Sequence, residues 1–242
     1  MARLLSEKRI MVPPSGGVSY IRTQIYTSSG THTFTPGSDA KQLIIWLTGG
    51  GGGGGRGGPS YNHGGGGCGG ATAWKIITPD MGPLLETYQV VVGNGGTGST
   101  SDHTGGGNGG HSVFHNGAAE THPHFCRAER GRGALSHESG SADRGQTETR
   151  QAVCTGANYC FPGSMGIACG GGDQDNDRPC GGAVGGATHW GSGGMNGNFS
   201  NSLSGSQGRP WGSGGGPGTH DGSSSGNGAP GRSGVCIIEV YG

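Results

Sequence analysis

The chain has 242 residues, of which 61 are glycine and 12 proline, and its fifteen basic and fifteen acidic side chains cancel. Glycine and proline at that level without a period usually mark a disordered chain. Sparse, balanced charge and four Trp, five Phe and six Tyr spread along the sequence argue instead for an ordered protein with a small conventional core. Clumped glycines exclude a collagen repeat, zero net charge speaks against nucleic acid as a partner, and no stretch approaches the roughly twenty apolar residues of a membrane-spanning helix.

Residues 1–17 read as an N-terminal attachment arm. Leu4, Leu5, Ile10, Met11 and Val12 are apolar but too few for a core, and Pro13-Pro14 and Gly16-Gly17 stop any helix. The start lacks the apolar region of a secretion signal, so the chain is expected to be made and kept in a cytosol, or to leave it by a route other than standard secretion. Residues 18–48 read as strands. "VSYIRTQIYTSSG" is rich in β-branched and aromatic residues, "THTFTPG" alternates, and "AKQLIIWLT" is a continuous apolar run suited to a strand buried on both faces. "ATAWKIITP" and "LETYQVVVG" supply two more, with Trp46 and Trp74 expected in the core. "GVCIIEVYG" closes the chain, and it is expected to pair with the early strands, since it would otherwise be an exposed, sticky edge.

Between the strands lie glycine segments at 49–70, 93–110 and roughly 163–234. Each glycine costs a helix about 1 kcal/mol relative to alanine, and a glycine strand has no side chains to pack. Two readings remain: loose loops, or polyproline II segments bundled so closely that they hydrogen-bond, with about three residues per turn. The length of the last segment favours a bundle. Residues 120–150, "ETHPHFCRAERGRGALSHESGSADRGQTETR", break the pattern with many charges and few glycines. They read as a solvated insertion, with one helical turn near 126–130.

The seven cysteines are Cys68, Cys126, Cys154, Cys160, Cys169, Cys180 and Cys236. Their spacings match no zinc motif. Three readings stay open: disulfides among Cys126, Cys154, Cys160, Cys169 and Cys180; a metal held by Cys126, His122 and His124, with His137 near enough to join; or buried free thiols. Cys236 reads as a small core residue. No metal and no cofactor enter the overall reading. Asp173, Asp175 and Asp177 alternate like calcium ligands, but the later Gly and Glu of such a loop are missing, and a solvated turn fits better. There is no nucleophile elbow, no carboxylate pair in a strand context and no phosphate-binding glycine loop followed by Lys-Ser/Thr, so an enzyme is not expected.

"YTSSGTHTFTPG", "LIIWLTGGGGGGG", "TYQVVVGNGGTG", "GGHSVFHNG" and the closing "GAPGRSGVCIIEVYG" occur in an order that resembles the glycine-rich domain of bacteriophage tail-fibre and tail-tip proteins. The match covers about 25–117 and 228–242; residues 118–190 depart from it. The resemblance implies an all-β fold: a small β-sandwich-like anchor from 18–117 with 228–242, and a glycine-rich polyproline II or loop region over 118–227. It also implies a virion tail protein that recognises a host cell-surface glycan or an outer-membrane protein. Such a protein would contact other tail proteins and assemble as a homo-oligomer, a trimer. The contact residues expected are the distal aromatics Tyr159, Phe161, His189, Trp190, Phe199 and Trp211, which sit among glycines and small polar residues. The competing reading is a purely structural tail-tip or baseplate part. An ice-binding bundle would need a near-regular glycine at every third position and a flat Ala/Thr face, which the sequence lacks.

Overall fold

The computed structural model describes residues 17–56, 64–102, 104–117, 120–135, 151–167, 184–195, 204–219 and 225–242. Phe199, Cys169, Cys180, His137, the 173–177 aspartates and the arm before Gly17 lie outside the described residues, as do residues 136–150 of the charged insertion.

The fold is all-β, as the apolar runs predict. In chain order the strands are β1 (Tyr20–Tyr26), β2 (Gly30–Phe34), β3 (Gln42–Thr48), β4 (Thr72–Ile77), β5 (Tyr88–Val92), β6 (Ser112–His115), β7 (Cys126–Ala128), β8 (Cys154–Thr155), β9 (Tyr159–Phe161) and β10 (Val235–Tyr241). They form two antiparallel sheets of five strands, ordered β1-β10-β3-β4-β9 and β2-β5-β6-β7-β8. The closing strand lies between β1 and β3, so no apolar edge is left at the C-terminal end of the described chain. Strand β7 stands where a solvated helical turn is expected. Phe125, Cys126 and Ala128 are buried and alternate with Arg127, which is a strand pattern.

Alternation sorts the two faces of the first sheet. Leu43, Ile45, Leu47, Ala73, Ile77, Ile238 and Val240 point inward onto Phe34, Tyr88, Val90, Val92 and Phe114 of the second sheet. Lys75 also points inward; it is buried, and its ammonium donates to the Gly156 carbonyl. Burial lowers its pKa, with the neighbouring Cys126 acting in the opposite direction. Cys236 is a core residue as expected. Cys126 is a buried thiol in the same core and not part of a disulfide, whereas Cys154 and Cys160 are joined.

The glycine segments form a hydrogen-bonded lattice. Residues 49–56 donate in three directions that repeat every third residue, the period of a polyproline II helix. Gly49, Gly52 and Gly55 donate to the carbonyls of Ala71, Cys68 and Gly65. Gly50, Gly53 and Arg56 donate to Gly110, Gly107 and Thr104. Gly51 and Gly54 donate to Arg232 and Ala229. All three accepting segments run antiparallel. The carbonyls of the same helix accept from three segments that run parallel to it: Gly131 and Ala134 onto Gly50 and Gly53, Gly96 and Ser99 onto Gly51 and Gly54, and Gly215 and Gly218 onto Gly52 and Gly55. Segment 49–55 is therefore a central rod ringed by six others. A Cβ built on Gly50, Gly51, Gly52 or Gly53 would overlap the backbone of Asn94, Ser213, Arg132 or Thr97, so the ring closes only around glycine.

Energetics explain why the ring must be complete. Ordering a backbone residue costs about 1–2 kcal/mol, and a net hydrogen bond contributes about 0.5–1.5 kcal/mol. Each bond is shared by two residues, so the lattice reaches one bond per residue, and approaches that cost, only where every N–H and every C=O is paired. Gly52, Gly53 and Gly54 each pair both.

The molecule has two poles. Segments 49–55, 93–99 and 129–134 leave the sandwich from the ends of β3, β5 and β7, and segments 64–71, 104–110 and 226–234 return to the starts of β4, β6 and β10. The lattice therefore occupies one pole. At the other, Ser19 and Gly242 are hydrogen-bonded to each other, and a cleft of about 730 Å³ lies between 35–41 and 79–87, with Ala40, Leu84 and Leu85 among its walls.

Candidate functional site

The outward face of the first sheet also carries large apolar side chains. Register places Tyr159, Trp74, Trp46, Ile237 and Ile25 in one row across all five strands. A sheet face of this kind needs a cover. Part of the cover comes from two turns at the sandwich end of the lattice. Residues 188–191 close a turn with Thr188 and Gly191 bonded in both directions, and residues 209–212 close another through a cis Arg209–Pro210 bond and Gly212, whose φ of +67° suits glycine. The first turn carries His189 and Trp190, the second Trp211.

These rings meet on the sheet. Trp46 packs against Trp74 at 6.1 Å between centroids, Trp190 at 5.7 Å, His189 at 5.4 Å and Phe161 at 6.1 Å. His189 also touches Phe161 at 4.6 Å and Trp190 at 5.0 Å; Trp190 meets Trp211 edge-on at 6.0 Å, and Trp74 meets Tyr159 at 5.2 Å. Offset and edge contacts at these spacings are favourable beyond burial alone.

Hydrogen bonds fix the cover. The Trp190 indole N–H donates to Thr48 Oγ1 at 2.7 Å, and Thr48 Oγ1 lies 2.9 Å from Thr72 Oγ1, both threonines being fully buried. Thr188 Oγ1 donates to the Trp211 carbonyl at 2.8 Å, joining the two turns. Together these bonds tie the base of the lattice to β3 and β4.

Five of the six aromatics expected at a recognition surface thus converge on one cluster, and the sixth, Phe199, lies outside the described residues. The location differs from expectation. His189, Trp190 and Trp211 sit on turns next to the sandwich, not at the far ends of the lattice. Trp46 and Trp74, expected only as core residues, form the floor; they are 9 % and 8 % exposed. Their shared parity on neighbouring strands is the sequence signal for this, but the pairing of β3 with β4 is needed to read it. Above that floor Tyr159 is 64 % and Phe161 37 % exposed, and His189 is exposed. The cluster can therefore offer flat aromatic faces to a ligand. Uncharged groups border it: Thr188, Ser164, which accepts the Ala187 N–H, and Asn158, which accepts the Ile76 N–H.

A second set of rings lies in the sandwich. Tyr88 and His124 Nδ1 are hydrogen-bonded at 3.0 Å, and both residues are buried. Burial, the nearby His122 and Lys75 lower the His124 pKa, against a backbone contact with Met81 that raises it. His122 Nδ1 accepts the His124 N–H at 3.1 Å. These groups serve the packing of β6 and β7.

The family model described as a glycine-rich domain matches residues 27–241. None of the curated proteins matches the chain.

Proposed function

The chain belongs to the glycine-rich domain family, and from that premise we propose that it is a bacteriophage tail-fibre or tail-tip protein that recognises a glycan on the host cell surface. The observation that carries this reading is the convergence of Tyr159, Phe161, His189, Trp190 and Trp211 on the Trp46–Trp74 floor, with exposed rings bordered by uncharged polar groups. Aromatic faces take up the C–H faces of sugars while neighbouring amides and hydroxyls bond their hydroxyl groups. The lattice suits the role because it fixes the covering turns without side chains of its own. The opposite pole, with its cleft, suits attachment to other tail proteins and to further copies of the chain around a threefold axis.

The test is adsorption of the purified protein to sensitive bacteria. The expected result is saturable binding that blocks infection, survives protease treatment of the cells, is competed by their surface polysaccharide, and falls at least tenfold in the Tyr159→Ala/Phe161→Ala variant. No adsorption and no effect on infection would overturn the reading in favour of a structural tail part. Loss of adsorption on protease treatment would move the receptor from glycan to outer-membrane protein.

A further inference from the structure

The exposed half of the aromatic cluster rests on the shortest part of its sheet. Strand β9 has three residues and, among the described residues, pairs only with β4, in the register Thr72 to Phe161, Ala73 to Cys160 and Trp74 to Tyr159. So short a ladder specifies its register weakly, and a slip by one residue would turn Tyr159 and Phe161 toward the core edge.

The register is set covalently. Cys154, on the edge strand of the second sheet, is bonded to Cys160, on the edge strand of the first, with 5.6 Å between their Cα atoms. Cys154 is paired with Ala128 and Cys160 with Ala73, and both alanines face the core. Cys160 must therefore point inward to reach Cys154. By strand alternation its two neighbours must then point outward. Those neighbours are Tyr159 and Phe161, which contact Trp74, Trp46 and His189. Other tethers flank β9 on both sides: Asn158 N–H donates to the Trp74 carbonyl, Asn158 Oδ1 accepts from the Ile76 N–H and Lys75 donates to the Gly156 carbonyl before it, while the Ser164 N–H donates to the Ala187 carbonyl and the Ser164 carbonyl accepts from the Gly69 N–H after it. None of these tethers acts on a side chain of 159–161; the disulfide does.

We infer that the Cys154–Cys160 disulfide is a redox-controlled positioning element that presents Tyr159 and Phe161 when oxidised and releases them when reduced. The deduction deepens the recognition reading above and rests on it for its biological meaning. Cys160 is solvent-exposed, so an external thiolate can reach it. In the reductive direction a small-molecule thiolate attacks the Cys160 sulfur, the Cys154–Cys160 bond breaks, and Cys154 leaves as a thiolate that takes a proton. A second small-molecule thiolate then displaces Cys160, forming a small-molecule disulfide and passing two electrons in total to the protein. An oxidising medium that supplies a small-molecule disulfide runs the exchange backwards. The other thiols of the sandwich stay out of this chemistry. Cys126 and Cys236 are buried, and burial pushes Cys126 up to about 12 and Cys236 well above its ordinary value, so both remain protonated. A chain made in a reducing cytosol would thus acquire its complete aromatic surface on release into an oxidising exterior.

The experiment compares amide hydrogen exchange and cell adsorption for the oxidised protein, the protein in a mild thiol reductant, and the Cys154→Ser/Cys160→Ser variant. The expected result is exchange at 159–161 at least tenfold faster in the reduced and variant forms, with β3 and β10 unchanged, and adsorption weakened at least tenfold in both. Equal protection of 159–161 in all three forms overturns the inference. Should the oxidised protein not adsorb at all, the recognition reading fails while the exchange data still decide the positioning role. Variant Cys126→Ser, with the disulfide intact, is expected to keep oxidised-form protection at 159–161; loss there would also contradict the assignment.

Discussion

Gly53 shows how single positions specify the lattice. Its N–H donates to Gly107, its carbonyl accepts from Ala134, and a Cβ would collide with the Thr97 backbone. Two residues on, a Cβ at Gly55 would find Ala134 Cβ at 3.4 Å and the Thr104 carbonyl at 3.5 Å, ordinary contact distances. Both are glycines in one run of seven, so sequence alone does not tell them apart. Gly53→Ala is expected to cost about 3 kcal/mol or more, because rigid backbone must move. Gly55→Ala is expected to lie within about 1 kcal/mol of the parent, the added side chain being offset by the smaller entropy of the unfolded chain. Thermal unfolding of the two variants checks this: equal losses would mean that the ring around the central rod is not closed. The same reasoning separates Trp190 from a casual surface aromatic, since its indole N–H ends on a fully buried threonine.

Strands β6 and β7 carry the pH dependence. His111 Nδ1 accepts the Arg130 N–H at 3.3 Å, His115 Nδ1 the Gly117 N–H at 2.9 Å, and His122 Nδ1 the His124 N–H at 3.1 Å. A proton on His111 Nδ1 removes that acceptor. Burial, with Arg130 and Arg127 beside it, lowers the His111 pKa against the weaker pull of Glu129 and Glu120, and burial lowers that of His124 as well. Both groups hold fewer protons folded than unfolded, so their contribution is complete above the unfolded value of about 6.5 and is lost as pH falls through the folded values. Between pH 7.5 and pH 5, exchange of the 112–115 and 126–128 amides, corrected for intrinsic rate, is expected to accelerate before that of β3 and β10; a uniform response would refute the assignment. Strand length governs how far the sequence foretells these elements. β3, β5 and β10 announce themselves through four or more apolar or β-branched residues. β7 shows only Phe125, Cys126 and Ala128 around Arg127, and the charges that follow mask it. β8 and β9 have two and three residues, too few for a periodic signal, and their places follow from the disulfide between them. The aromatic cluster was foretold as a composition and not as a place, because its floor depends on the β3–β4 register.

The whole molecule joins two ways of ordering a chain. The sandwich is held by apolar side chains between and outside its sheets; the lattice is held by backbone bonds at every position of its central rod. Which segments neighbour the rod is a matter of N–H and C=O groups that every residue carries, so glycine content predicts the bundle while leaving its wiring unwritten. The wiring gives the molecule its polarity, with the lattice and the covering turns at one pole and the cleft at the other. Everything proposed for the aromatic surface presumes that the lattice is rigid enough to hold the 188–191 and 209–212 turns in place. Hydrogen–deuterium exchange over residues 49–56 tests that most directly. The closed ring predicts protection within about tenfold of that in β3 and β10; exchange at the rate of an unstructured glycine chain, with the sandwich still protected, would contradict it.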